Sequence, residues 1–135
     1  MVYGRHKSKK RGVELVSYPT AVVMSKTGVV PILCNNDDKM WVVARQAMFE
    51  KAVNRIFAYA IEMIKEGLYF KAIIVSIADD LSELDNFSEY SKMKSIAEQE
   101  GVKILLNVMT LTIASNCGPG SLSLGIAPKN TKAEP

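Results

Sequence analysis

Apolar positions recur along this chain in two rhythms. Between Gln46 and Gly67 the residues Phe49, Val53, Ile56, Ala60 and Ile64 stand three or four apart, which aligns them on one face of a helix. Glu50, Lys51, Asn54, Arg55, Glu62 and Lys65 fall mostly elsewhere, and Gly67 is a stop signal. A Met and aromatic stripe at this spacing reads as core. A second helix is predicted over Leu81–Gln99, with Leu84, Phe87, Met93 and Ile96 on its apolar side and Gly101 at its end. Asp80 or Ser82 is placed to cap it, with Glu83 or Asp85 three residues on.

The other rhythm belongs to strands. Val29–Leu33 is short and β-branched, Asn35-Asn36-Asp37-Asp38 is a turn signal, and Lys39–Arg45 is a second strand. Together they read as a hairpin, although its turn lacks the usual glycine. Phe70–Ile77 is a near-continuous apolar run, as expected for a strand covered on both faces. Val102–Val108 and Ser121–Ala127 are further strands, and Met109–Cys117 fits either a short helix or a loop. The order β-β-α-β-α-β-turn-β predicts an α/β fold: a two-layer sandwich in which two helices pack on one face of a single mixed sheet.

Before the last strand stands Asn116-Cys117-Gly118-Pro119-Gly120-Ser121. Pro119 presets φ for the second position of a tight turn, and Gly120 permits φ > 0 at the third, as a type II turn requires. Such a turn can leave backbone N–H groups pointing outward toward an anionic group. The plainer reading is a turn leading into a strand.

Composition bounds the class. At 135 residues the chain suits one domain that buries roughly two-thirds of its unfolded surface. With 48% hydrophobic and 23% charged residues it is globular. Cys34 and Cys117 read as free thiols in a reducing, cytoplasmic compartment. A single histidine and no Cys/His cluster argue against structural zinc. The net charge of +3 hides an asymmetry. Arg5, Lys7, Lys9, Lys10 and Arg11 outnumber it, so the rest of the chain is net acidic. That basic tail could touch nucleic acid or an anionic membrane, but a solvated, disordered leader is the favoured explanation.

The tail resembles the start of a signal peptide, yet Glu14 and Pro19 interrupt the apolar region behind it and no cleavage site is clear, so no signal is expected. Ile104–Pro128 carries no charge and is long enough to span a bilayer. Asn107, Thr110, Thr112, Ser115, Asn116 and Gly-Pro-Gly within it would leave polar groups unsatisfied in lipid, so it is expected to be buried soluble structure with no transmembrane segment.

Catalytic chemistry is sparse. His6 lies in the tail, and Cys117 has no histidine partner in the body. Asp79-Asp80 could bind a divalent metal or form an acid/base pair, but their place before a helix favours capping. There is no P-loop, no G-x-S-x-G, and no G-x-G-x-x-G after a strand. The body lacks a basic stripe with interleaved aromatics, so nucleic acid is not an expected partner. No catalytic residue, metal site or cofactor is therefore expected. The residues favour a non-enzymatic binding domain with an apolar interior and a few polar groups at its mouth.

Three segments resemble the C-terminal domain of the DegV family of bacterial fatty-acid-binding proteins. Val30-Pro31-Ile32-Leu33 followed by Asn36-Asp37-Asp38-Lys39 is similar to the family's Lys-Pro-Ile-Leu strand and Asp-Gly-Lys hairpin. Phe49-Glu50-Lys51-Ala52 opens a helix where the family has a basic, Ala-containing start, and Gly118-Pro119-Gly120-Ser121-Leu122-Ser123-Leu124-Gly125 resembles its Gly-Pro-Gly-Ala-Leu-Gly ending. On this resemblance residues 1–12 are a basic disordered tail, 13–128 the DegV-like C-terminal domain and 129–135 a polar tail.

The resemblance implies binding of a long-chain fatty acid, the acyl chain in a hydrophobic tunnel and the carboxylate on polar side chains, and presentation of the acid to an acyl kinase. It implies no catalysis and no cofactor beyond the bound lipid. The ligand-binding candidates are Arg45, Asn116, Gly118, Pro119, Gly120 and Ser121. Asn116 stands where the family often has histidine; it donates through its amide but carries no charge. Ala47 stands at the family's helix-start arginine, and Arg45, two residues earlier on the same strand face, is the candidate substitute. Val13-Glu14-Leu15-Val16 replaces the family's Gly-Gly-Arg-Ile. The family's larger N-terminal domain, which supplies Ser and Thr contacts to the carboxylate, has no counterpart in this sequence. An excised or truncated domain holding half a binding site and a stand-alone relative both fit. The alternative is a non-catalytic interaction or regulatory module that keeps the fold without ligand, its exposed apolar face driving self-association.

Overall fold

The computed structural model describes residues 28–36, 39–117 and 120–129. The tail at 1–12 with His6, the Val13–Val16 segment, Asp37-Asp38 of the hairpin tip, Gly118-Pro119 and residues 130–135 lie outside the described residues.

The hairpin forms, with strands longer than expected. β1 (Val29–Asn36) and β2 (Lys39–Ala47) pair antiparallel from Val29 opposite Ala47 to Asn36 opposite Lys39. A register shift between Ile32 and Leu33 breaks strict alternation, which lets these consecutive residues both be buried. Gln46 and Ala47, expected to open a helix, instead continue β2. Met48 then turns the chain with φ 73° and ψ 139°, its N–H donating to the Gly28 carbonyl at 3.0 Å. The helix α1 starts at Phe49 and runs to Glu66. Its buried residues are Ala52, Val53, Ile56, Phe57, Ala60, Met63 and Ile64, a wider stripe than the periodicity named. It ends at Gly67, whose φ is 110° and whose N–H donates to the Met63 carbonyl.

β3 (Ala72–Ile77) follows. The predicted helix over Leu81–Gln99 is divided in two. Asp80 caps a 3₁₀ turn, Leu81–Asn86, and α2 begins only at Ser88 and runs to Gln99. Between them Phe87 is extended and buried, its ring 6.3 Å edge-on from Phe49. Burying that ring breaks the helix. Next come β4 (Lys103–Val108), α3 (Leu111–Cys117) and β5 (Leu122–Gly125), so the stretch left open between helix and loop is a short helix.

The class is α/β, as expected. Hydrogen bonding divides the strands between the hairpin and a three-stranded mixed sheet of order β4–β3–β5, where the sequence reading had one sheet. β3 is parallel to β4 and antiparallel to β5. Both long helices cover one face of this sheet. Val53, Phe57, Met63, Tyr90 and Met93 meet Ile73, Val75, Ile77 and Leu122 there, all essentially inaccessible to solvent. The Phe57 ring sits between Phe87 at 6.3 Å and Tyr90 at 5.3 Å. A smaller cluster of Ile32, Ala52 and Ile56 joins the hairpin to α1, and Leu124 touches both clusters.

Exposed apolar side chains correct two expectations. β3 was read as covered on both sides, yet its burial alternates and Ile74 is 48% exposed. Ile104–Pro128 was read as buried, yet Leu105, Leu106 and Val108 of β4 are 40, 43 and 51% exposed, and Leu111 reaches 86%. The cause is architectural. Both helices lie on one side, which leaves Ile74 and its register partner Leu105 on the open face; Leu106 and Val108, partners of the buried Val75 and Ile77, face the helix side at the sheet's edge and are only partly covered there. Apolar composition signals a need for cover but does not say what supplies it.

Candidate ligand-binding site

Because β3 and β4 are parallel, their carboxyl ends lie together, and β5 enters at that same end with Leu122 opposite Ile77. The connecting backbone is pinned there. The Ala78 N–H donates to the Ser121 carbonyl at 2.8 Å, and the Gly120 N–H returns to the Ala78 carbonyl at 3.0 Å. The Met109 N–H donates to the Ile77 carbonyl at 2.8 Å. Open sheets with parallel strands place ligands outside these carboxyl ends.

Two of the residues singled out in the sequence meet here. Gly120 has φ 74°, the left-handed conformation expected of it, and Ser121 is buried beside it. Asn116 falls in the last turn of α3, its side chain outside the described residues, as is that of Cys117; Gly118 and Pro119 lie outside them entirely. Arg45 is elsewhere: it stands opposite Pro31 on the hairpin, exposed, in the other sheet. Among the described residues no hydrogen bond joins it to the Gly120–Ser121 loop.

The sheet's open face carries an ordered pattern. Ser123, Ser76 and Asn107 are register partners across β5, β3 and β4, and the Asn107 amide donates from Nδ2 to Ser76 Oγ at 3.4 Å. One step further from the carboxyl ends, Gly125, Ile74 and Leu105 form an apolar row on the same face. A Cβ at Gly125 would stand 3.6 Å from the Ile74 Cβ, so glycine keeps the face flat beside that side chain. Leu111 and Ile113 of α3, the helix that follows β4, are exposed as well. Sequence reasoning missed this row, because its three members come from strands far apart in the chain and only the register aligns them.

The aspartate pair proves structural. Asp80 Oδ1 accepts from the Ser82 N–H at 2.8 Å and the Ser82 hydroxyl at 2.6 Å, and these bonds hold its carboxyl below the ordinary value of 3.8. Asp79 Oδ1 accepts from the Asp80 N–H at 2.8 Å. Among the described residues no group of three His, Cys, Asp or Glu side chains could hold a metal, and no helix is long and apolar enough to cross a membrane.

Comparison with known proteins adds to this geometry. A family model described as "Uncharacterised protein, DegV family" matches residues 14–129. DegV domain-containing proteins of Xanthomonas axonopodis pv. citri and Xanthomonas campestris pv. campestris are 27% and 26% identical over 127 residues. In each case the match takes in 94% of this chain and 40% of the relative. In fold the chain is similar to a DegV family protein from Corynebacterium glutamicum, with a TM-score of 0.58 at 18% identity over 96% of this chain and 47% of that one. It is also similar to a DegV family protein from Eubacterium eligens solved loaded with heptadecanoic acid, with a TM-score of 0.61 at 12% identity over 93% of this chain and 43% of that one. The chain thus spans less than half the length of these relatives.

Proposed function

The chain belongs to the DegV family, and on that premise we propose that it binds a long-chain fatty acid, laying the acyl chain against the open face of the β4–β3–β5 sheet. The observation that carries this reading is the half-exposed apolar surface of Ile74 and Leu105, which the Ser76 row separates from the pinned Gly120–Ser121 turn at the strands' carboxyl ends. The heptadecanoic acid held by the Eubacterium eligens relative supports the ligand class. Each fully buried CH₂ contributes about 0.8 kcal/mol, and a chain resting on an open face buries one side only. The described residues therefore act as one wall of the site, and tight binding requires a second wall.

In this role the protein is a carrier, not a catalyst. Its candidate contacts to the carboxylate end are Gly118, Pro119, Gly120, Ser121 and Asn116, with Arg45 of the hairpin a further candidate, and it hands the bound acid to an acyl kinase in the cytoplasm. Native mass spectrometry of the purified protein, with thermal melting in heptadecanoic acid, tests the carrier role. A copurifying fatty acid or a rise in melting temperature is expected. Absence of both overturns the reading.

A second reading is a non-catalytic interaction module that uses the same face to self-associate, which the exposed Ile74 and Leu105 favour. Sedimentation showing a lipid-free monomer at high concentration rules it out.

A further inference from the structure

We infer that Ser76, Asn107 and Ser123 form the carboxylate-binding row of this site and so fix the direction in which the fatty acid lies. The inference rests on the fatty-acid reading above and adds the orientation and the anchoring residues. The register carries it. Ser76 is the partner of Asn107 on one side and Ser123 on the other, so three neutral polar side chains cross the sheet in a single line on the open face. They stand one position short of the strand ends marked by Ile77, Val108 and Leu122, toward the Gly120–Ser121 turn. The next row, Gly125–Ile74–Leu105, offers no polar side chain. A polar line bordering an apolar strip matches a ligand with one polar end and one apolar end.

The donors suit an anion. Asn107 gives one amide hydrogen to Ser76 Oγ, which leaves its second N–H and the Ser76 hydroxyl proton to donate outward. Ser123 brings another hydroxyl on the far side of Ser76. None of the three carries a charge, so the row recognises a carboxylate by directed hydrogen bonds and leaves its counter-charge to other groups or to water. From this row the acyl chain runs over Ile74 and Leu105 toward Ala72 and the exposed Phe70, along the direction of β3 from carboxyl to amino end. The opposite orientation would carry the carboxylate past Leu105 to the exposed Lys103, the register partner of Ala72 on this face, where a solvent-screened ion pair contributes little.

The test compares heptadecanoic acid with its methyl ester, which keeps the tail and loses the charge. Affinities are measured for the parent protein and the Ser76→Ala/Asn107→Leu double variant, with Ser123→Ala as an independent second variant. All three positions are at least partly exposed, so melting temperatures should stay close to the parent's. Loss of hydrogen bonds to a charged group is expected to weaken acid binding about tenfold or more while the ester changes little. Equal losses for acid and ester, or no loss for the acid in either variant, overturn the inference while leaving the fatty-acid reading standing. If the parent binds neither ligand, the fatty-acid reading itself fails and the row falls with it.

Discussion

Ile73 and Ile74 are neighbours in β3 with opposite fates, and truncating each to alanine separates fold from function. Ile73 is fully buried against the helices, whereas Ile74 is 48% exposed on the open face. Ile73→Ala leaves a cavity in the main core, and such truncations cost about 2–5 kcal/mol. At about 3–5 °C per kcal/mol for a domain of this size, the melting temperature should fall by roughly 6–25 °C. Ile74→Ala removes three carbon groups, each contributing about 0.8 kcal/mol when fully buried. Since roughly half of that side chain is already in water, its loss should cost about 1 kcal/mol of stability. The other half is what an acyl chain would cover. Losing it should weaken heptadecanoic acid binding by about 1 kcal/mol, roughly fivefold in Kd. Thermal melting and ligand titration on the two single variants read both numbers. Two results refute the reasoning. If Ile74→Ala destabilises as much as Ile73→Ala, the face is covered in the free protein; if it leaves Kd unchanged, the acyl chain does not lie there.

Other expectations follow from backbone and charge. Met48 holds φ 73° without being glycine and is largely exposed, so Met48→Gly should raise the melting temperature by relieving about 1 kcal/mol or more of strain. Gly120→Ala meets open space but a φ of 74°, so it should lower stability by about 1 kcal/mol, and Gly101→Ala, at φ 67° in equally open space, should match it in a melt. The Asp80 carboxyl is held below 3.8 in the folded chain, so its contribution is present above that value and is lost as pH falls through the lower folded pKa. Asp80→Asn should therefore show a shallower fall in melting temperature below about pH 4 than the parent.

What could be read from the sequence depended on how local its cause was. α1 was legible because one face of a long helix repeats within a few residues, and Gly67 and Gly120 were legible because turns demand a backbone that few residues adopt. The break at Phe87 was not, since it arises from a ring packing on Phe49 and Phe57 of another helix. Nor was the exposure of Ile74: an apolar run reads the same whether one face or two are covered. Of the candidate site, the turn could be seen in a single segment. Placing Ser76 beside Asn107 and Ser123 required the register of three separate strands. The same register puts Arg45 opposite Pro31 in the hairpin, a placement that no spacing along the chain reveals.

β3 has a temporal consequence of its own. Both strands that flank it, Lys103–Val108 and Leu122–Gly125, come later in the chain. During synthesis its apolar residues Ile73, Val75 and Ile77 emerge after α1 but before either of those strands. Its antiparallel neighbour follows roughly fifty residues later, an interval of a few seconds at about 5–20 residues per second. The nascent chain therefore passes through a stage in which its central strand lacks both of its described strand partners, and the yield of folded protein should depend on the speed of translation between Ile77 and Gly125 and on chaperones that hold the strand until its partners arrive.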